Sequence, residues 1–503
     1  MINLTLAQIA DAVGGTLSGG ADQATQVTSS VEFDSRKLQP GSLFVALPGQ
    51  RVDGHDFAEQ AIQAGAVAVL AARDVGVPAI VVPSTEVPTS NADAFAMAGE
   101  KAEAMAAVLA ALGRLARFVI ERCAADSGLT VVGVTGSAGK TSTKDLMATV
   151  LGNAGATVAP PGSFNNEIGH PYTALRCDEE TRFLVAEMSA RGIGHIARLA
   201  EIAPPRIGVV LNVGTAHLGE FGSRENIAQA KGELIESLPA DGLAVLNADD
   251  SFVKAMARRT SARVVYTSVR EPADYYATDI RLDEVARASF NLHVAGTTQA
   301  YPVSLQVFGE HQVSNALAAA AVGIAAGLSA QQVAAALSSH HTASANRMDV
   351  QTRADGVTII NDSYNANPDS MRAGIAALSY TAHGRNDVHS WAILGQMGEL
   401  GDNAITEHEA LAEVLVKMQV DRLVVVGGDV NSHALATSAE QRGITTMTVD
   451  SADAAINVVD RELRPGDVVL VKASNSARLW RVAEGLLGQS AADQLAKNSG
   501  AAN

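Results

Sequence analysis

One segment constrains this chain more than any other. Thr130-Val131-Val132-Gly133-Val134 is a short apolar run that passes straight into Thr135-Gly136-Ser137-Ala138-Gly139-Lys140-Thr141-Ser142, after which a helical pattern begins. A run of this kind reads as a strand buried on both faces, which is the environment of a parallel sheet covered by helices. Glycines let the strand-to-helix turn fold tightly enough to aim successive N–H groups at an anion, and the helix N-terminus adds its dipole. Lys140 would reach the outer phosphates of a nucleotide, and the Thr141 hydroxyl would bind Mg²⁺. The strict spacing of such loops wants glycine at Val134; Gly133 and Gly136 make a tighter variant. An ordinary glycine-rich turn is the plainer reading of the same residues. Either way, a parallel α/β unit is required here.

The rest of the chain extends that pattern. Its 503 residues suggest roughly three domains. Residues 1–87 read as a small α/β domain, with apolar runs at Ser42–Leu47, Val67–Leu70 and Ala79–Val82 and one short helix. Residues 88–106 are polar and Ala-rich, broken by Pro88, Ser90 and Asn91. They read as a linker or insertion running into a helix that ends near Arg122. Residues 107–345 form a central unit of the ATPase phosphate-loop type, its mostly parallel sheet marked by Thr130–Val134, Phe183–Glu187, Ile207–Leu211 and Leu243–Leu246. Residues 346–488 repeat the alternation through Val357–Ile360, Trp391–Leu394, Leu423–Val426 and Val468–Val471, a Rossmann-like α/β unit. Residues 489–503 are small and polar and read as a flexible tail.

Composition removes several classes of function. Lys plus Arg is 37 against 54 for Asp plus Glu, a net charge of −17, so nucleic acid is excluded as a partner. Cys123 and Cys177 are too few for a disulfide framework and too far apart for a metal knuckle. The N-terminus, Met1-Ile2-Asn3-Leu4-Thr5-Leu6, has no basic, apolar leader, and the chain reads as cytoplasmic. Gln312 to Ala345 holds no charged residue, yet its Ala, Ser, Gly and Gln content is too weakly apolar for stable membrane insertion. Gly327 followed by Ser329-Ala330-Gln331-Gln332 reads instead as one helix stopping and another starting on a capping box.

Three further residues stand where a metal could be held. Glu187 ends a buried strand, where its carboxylate could meet a Mg²⁺ ion at Thr141. His217 follows another strand in Asn212-Val213-Gly214-Thr215-Ala216-His217, and Lys231 precedes Gly232-Glu233. Taken singly, these are a solvated strand-end glutamate, a structural histidine and a surface lysine.

Taken together, the chain resembles the Mur ligases, the ATP-dependent amide-forming enzymes of peptidoglycan synthesis. The resemblance spans nearly all of it: the phosphate loop, Glu187-Met188, Asn212 to Leu218, Lys231-Gly232-Glu233, and Phe308-Gly309-Glu310-His311-Gln312-Val313-Ser314-Asn315. It implies that Thr135 to Ser142 cradle ATP, that Lys140 is catalytic, and that Asn315 contacts adenine. It further implies that Lys231 is carbamylated by CO₂ and joins Glu187, His217 and Thr141 around two Mg²⁺ ions. Arg347 and Asp362 would complete the ATP site when the third domain closes.

Within the family, three segments resemble the branch that joins D-alanyl-D-alanine to UDP-N-acetylmuramoyl-tripeptide: Phe164 to Pro171, Asn361 to Met371, and Gly395 to Gly401. Asn165, Asn166, Tyr364, Asn365 and Asn367 are the implied substrate residues. Asp34-Ser35-Arg36 and Leu47 to Phe57 resemble the domain that holds the UDP part, which makes Ser35, Arg36 and Arg51 its candidates. A third-residue-adding relative would carry His-Thr-Pro-Asp at Asn365 to Pro368, and its Asp-Asn-Pro-Arg motif is missing from this sequence. The chain departs from the family at Ser189, usually Gly, at His195, usually acidic, and at Lys472-Ala473-Ser474-Asn475, usually Lys-Gly-Ser-Arg.

The implied chemistry is γ-phosphoryl transfer to the tripeptide carboxylate, then attack of the dipeptide amine on the acyl phosphate, in a monomer. Two other classes use parts of the same pattern. A nucleotide switch or motor needs no Asn165-Asn166, and a folylpolyglutamate-type ligase lacks the UDP-type first domain.

Overall fold

The computed structural model describes residues 1–49, 52–83, 100–160, 162, 164–214, 218–341, 344, 346–385, 387–398 and 400–488. Three sheets follow one another along the chain, with a small antiparallel pair beside the first. In the first, Val31–Glu32, Ser42–Val45, Ala66–Ala71 and Ala79–Val81 run parallel, and Thr16–Ser18 adds an antiparallel edge. Two short helices, Leu6–Val13 and Ala58–Gln63, stand where one was expected. The second is only six residues of Ala, Gln, Glu and Ile, too short to display a period.

A long helix, Glu100–Ser127, joins the first sheet to the second. It runs past Arg122 to Ser127, which corrects the expected end. Glu100-Lys101-Ala102-Glu103-Ala104 are strong helix formers with acids in the first turn, and nothing breaks the helix before Gly128, at φ +69°. The helix packs on Leu6–Val13 and on helices Gly169–Ala174 and His195–Ile202, so one apolar core runs through both units. Only its first turns fall in the expected linker; residues 88–99, most of that linker, lie outside the described residues.

The central sheet has nine strands. Thr157–Val158, Phe183–Glu187, Thr130–Thr135, Ile207–Val210, Leu243–Asn247, Arg263–Ser268 and Tyr275–Leu282 run parallel in that order. Arg287–Val294 and Tyr301–Phe308 then close the edge antiparallel, so the sheet is mixed beyond its parallel core. This pair lacks the aliphatic runs that mark the parallel strands. It alternates instead, with Ala288, Phe290, Leu292 and Val294 buried on one face. The uncharged stretch forms two helices, Gln312–Ala325 and Ala330–Ser339, the second opened by the expected Ser329–Gln332 capping box. Among the described residues no helix is long and apolar enough to cross a membrane.

In the third sheet Thr358–Asn361, Val468–Lys472, Ser390–Leu394, Arg422–Val426 and Thr445–Val449 are parallel, with Asp349–Thr352 antiparallel at one edge. Residues 489–503 lie outside the described residues.

Candidate functional site

The phosphate loop leaves the C-terminal end of Thr130–Thr135, between Phe183–Glu187 and Ile207–Val210, where ligand crevices of parallel sheets lie. Its shape is held by Asn212 at the end of the neighbouring strand. The Asn212 side chain accepts from the Ala138 N–H at 2.9 Å and donates to the Ala138 carbonyl at 3.1 Å, while its own carbonyl takes the Ser137 N–H at 3.1 Å. Ser137 Oγ in turn accepts the Gly214 N–H at 2.9 Å. Gly139 sits at φ +85° as the cap of helix Lys140–Leu151, and a Cβ there would stand 2.7 Å from Asn315 Oδ1. Glycine is therefore required at 139 twice over, by backbone and by space. Lys140 Nζ curls back onto the Gly136 carbonyl at 2.8 Å. Thr135 Oγ1 is buried at the base of the loop without a hydrogen-bond partner among the described residues.

Asn315, on helix Gln312–Ala325, is fixed by donating to Gln312 at 2.9 Å. Ser142, Gln312 and Arg347 line one tight cavity beside the loop, together with Asp145 and His340.

Beside the loop, Thr141 Oγ1 donates to Glu187 Oε2 at 2.9 Å, and Asn165 Nδ2 donates to Glu187 Oε1 at 3.0 Å. Glu187 is thus brought to Thr141 as the strand pairing demands, since it lies level with Val134. Asn166 takes a local part: its Oδ1 accepts the Gly169 N–H at 2.9 Å and turns the chain into helix Gly169–Ala174. Lys231 lies on helix Arg224–Glu236, only 4% exposed, with no hydrogen bond or ion pair among the described residues. Burial first, and the positive charge of Lys140 second, push its amine well below the usual lysine range. His217 lies outside the described residues, as does Arg51.

The third unit contributes a separate cluster. The Arg347 guanidinium lies 3.9 Å from the centre of the Tyr364 ring, and its Nε is buried without a hydrogen-bond partner among the described residues. Lys472, fully buried, donates to Asp362 Oδ2 at 2.5 Å, to the Asn365 carbonyl at 2.9 Å and to the Asp362 carbonyl at 3.3 Å. Asn367 caps helix Pro368–His383 through Ser370. This unit meets the central one closely: a Cβ on Gly214 would fall against the Asp369 carboxylate, and one on Gly219 would fall 2.7 Å from the Gly401 nitrogen.

Sequence reasoning assigned no role to Lys472, because the motif around it is replaced, nor to Glu233, whose Oε1 accepts the Gly194 N–H at 2.6 Å. A charged residue at the end of an otherwise aliphatic strand, Val468–Lys472, is the signal that could have singled out Lys472.

Ser35 and Arg36 stand on the first unit, in the one-turn helix Ser35–Lys37. Arg36 is exposed and paired in parallel with Asp34 at 2.8 and 2.9 Å, which holds the Asp34 carboxyl down at about 2. The first unit reaches the central one through Glu32, which accepts from the Tyr172 hydroxyl at 2.9 Å; the Arg176 guanidinium lies 4.9 Å from the Tyr172 ring centre.

Three family descriptions match in chain order: Mur ligase family, catalytic domain, over residues 28–119; Mur ligase middle domain over 134–323; and Mur ligase, glutamate ligase domain over 346–475. The UDP-N-acetylmuramoyl-tripeptide--D-alanyl-D-alanine ligase of Mycobacterium tuberculosis (strain ATCC 25618 / H37Rv) is 54% identical, covering 97% of this chain and 98% of its own. The crystal structure of MurF from Acinetobacter baumannii superposes with a TM-score of 0.81 at 28% identity, covering 97% of this chain and 99% of that one. MurF ligase from Thermotoga maritima in complex with ADP gives 0.73 at 28% identity, over 92% and 98%. The chain belongs to the Mur ligases, in the UDP-N-acetylmuramoyl-tripeptide--D-alanyl-D-alanine ligase family.

Proposed function

We propose that this chain joins D-alanyl-D-alanine to UDP-N-acetylmuramoyl-tripeptide at the expense of ATP, forming an amide, ADP and phosphate for peptidoglycan synthesis. The observation that carries the reading is whole-length similarity, 54% identical over 97% of the chain, to a ligase of that name. The ADP complex of the Thermotoga relative supports the nucleotide.

A carboxylate is a poor electrophile at neutral pH. The γ-phosphoryl passes to the terminal carboxylate of the tripeptide, breaking the bond to ADP, and the dipeptide amine then displaces phosphate from the acyl phosphate. Both partners in the first step are anions, so the site must collect positive charge. The phosphate loop supplies N–H groups and Lys140; Arg347 and Asp362 approach the nucleotide from the third unit. Closure of that unit excludes water, which would otherwise hydrolyse the acyl phosphate.

The residues present fit Mg²⁺. Thr141 and Glu187 place a hydroxyl and a carboxylate 2.9 Å apart beside the loop, the oxygen ligands this ion takes. When bound, it supplies charge shielding for the phosphates. Lys231 fits a CO₂ adduct: it is a buried amine without an anionic partner among the described residues, and burial first and the Lys140 charge second ease loss of its proton, which CO₂ addition requires. Converted to a carbamate, it would add an anionic oxygen ligand to the hydroxyl of Thr141 and the carboxylate of Glu187. Asn165 orients Glu187, while Tyr364 and Asn365 belong to the third-unit segment that distinguishes this branch and would meet the peptide end of the substrates.

The test is phosphate release with ATP and Mg²⁺, adding the UDP-tripeptide and D-alanyl-D-alanine separately and together. Release is expected only with both. Release that ignores either substrate overturns the ligase reading.

A further inference from the structure

Lys231 makes no bond of its own among the described residues, so its place is set by the backbone of its helix. We propose that Glu233 is a positioning residue for Lys231, its buried carboxylate fixing the seat of that helix by binding the start of helix His195–Ile202. The proposal rests on the reading of Lys231 as a metal-site residue.

Helix His195–Ile202 begins at Gly194, φ +90°, and none of its own side chains caps it. Its first N–H groups would be orphaned in a buried place. Glu233, 6% exposed, satisfies two of them: Oε1 accepts from Gly194 at 2.6 Å and Oε2 from Ala197 at 3.0 Å. An anion at a helix N-terminus is favoured by the dipole, and both bonds are charge-assisted. Residues two apart on a helix point roughly 200° apart. The bonds of Glu233 on one side therefore set how Lys231 is presented on the other.

A second grip comes from Arg259. Its Nη1 and Nη2 donate to the Ala228 and Gln229 carbonyls at 3.0 and 2.8 Å, and its Nε pairs with Glu236 at 2.8 Å. The guanidinium lies over Gly232, where a Cβ would run into it. The helix cannot turn or slide without breaking one of these contacts. A cap serving only helix stability would need neither the two-sided grip nor a glycine between Lys231 and Glu233.

The test uses Glu233→Gln in the full chain, which keeps the volume but loses one acceptor. Losing a partner that orients a metal ligand costs about 10–100-fold in metal affinity or activity. Turnover should fall at least tenfold, the Mg²⁺ needed for half-maximal rate should rise severalfold, and KM for the UDP-tripeptide should stay within about twofold. The ¹³C carbamate signal from labelled bicarbonate should weaken. Arg259→Met should move the same readouts in the same direction if Glu233→Gln fails to fold. Unchanged Mg²⁺ dependence in a folded variant overturns the proposal, even if stability falls. Lys231→Ala separates the two readings. If it is inactive while Glu233→Gln is normal, only the positioning role fails; if it stays active, the Lys231 reading fails as well.

Discussion

Replacing Lys472 by Met probes the third unit at its most charged buried point. The ammonium is enclosed, with its three bonds spent on Asp362 Oδ2 and on the carbonyls of Asn365 and Asp362. The stem runs past Gly374, whose missing Cβ would stand 3.2 Å from Lys472 Cδ. Met fills much of the same channel, so the perturbation is chiefly loss of charge. Among the described residues, Asp362 would keep only the Met348 N–H at 3.2 Å on its other oxygen. Removing one partner of a buried pair costs about 3–5 kcal/mol. The Asp362 side chain is 15% exposed, so water takes up part of the loss and the lower end, about 3 kcal/mol, applies.

Both tryptophans, Trp391 and Trp480, lie in this unit, and the Trp391 indole is fully buried, donating to Asp467 at 3.0 Å. Tryptophan fluorescence during urea unfolding therefore reports on it selectively. With a slope of about 2 kcal/mol/M, the midpoint should fall by roughly 1.5 M. The double variant Asp362→Leu with Lys472→Met removes both charges and should recover to within about 1 kcal/mol of the parent. A single variant within about 0.3 M of the parent, or a double variant no better than the single, refutes the reasoning.

Gly139→Ala places a side chain at φ +85° and against Asn315, costing about 1–2 kcal/mol in backbone strain alone. ADP affinity by calorimetry should weaken at least tenfold, and unchanged affinity would show that the loop rearranges freely. Gly214→Ala drives a methyl into the Asp369 carboxylate, so turnover should fall and Asp369→Ala in the same chain should restore part of it. No loss in the single variant means the two units stand apart in solution. Burial holds His170 down at about 4, its Nε2–H donating to the Leu199 carbonyl at 2.9 Å. The unfolded chain protonates this histidine near 6.5 while the folded one does not, so stability is full above that pH. It declines as pH falls towards 4, by up to roughly 3 kcal/mol. Thermal midpoints of His170→Gln between pH 7.5 and 5 should show a shallower decline, and equal slopes count against this assignment.

What could be read early was local. The strand, the glycine loop and the helix at Thr130 to Leu151 are contiguous, and chain order alone places Lys140 and Thr141. Glu187 needed only its position at a strand end. Lys231 looked like any helix lysine, because burial is a property of what packs around it. Lys472 meets Asp362 across 110 positions of chain, a separation at which no local pattern links the two. The two asparagines Asn166 and Asn367 show the limit from the other side. Asn suits a substrate amide and a helix start equally, and both side chains here accept local N–H groups. The edge strands from Arg287 to Phe308 went unread because alternation, rather than consecutive aliphatics, carries their burial.

The net charge of −17 sets a problem for an enzyme whose substrates are mainly anions. The cations do not solve it by number. Buried Lys472 is neutralised by Asp362, buried Lys144 by Asp145 at 2.6 Å, and exposed Arg36 by Asp34. Each fixes a loop or a helix and offers an incoming phosphate little net attraction. Exposed charges further than about 8–10 Å are screened by physiological salt, so the global repulsion is itself weak within the cleft. On the proposed function, capture would depend on short-range dipoles: the N–H groups of the phosphate loop, whose shape Asn212 and Ser137 hold. A cationic Lys231 would add attraction, but burial first and the positive charge of Lys140 second disfavour that form. The carbamate proposed for Lys231 would exchange that like-charge repulsion for attraction to Lys140 and would add an anionic oxygen ligand for Mg²⁺, so a single modification would answer both needs.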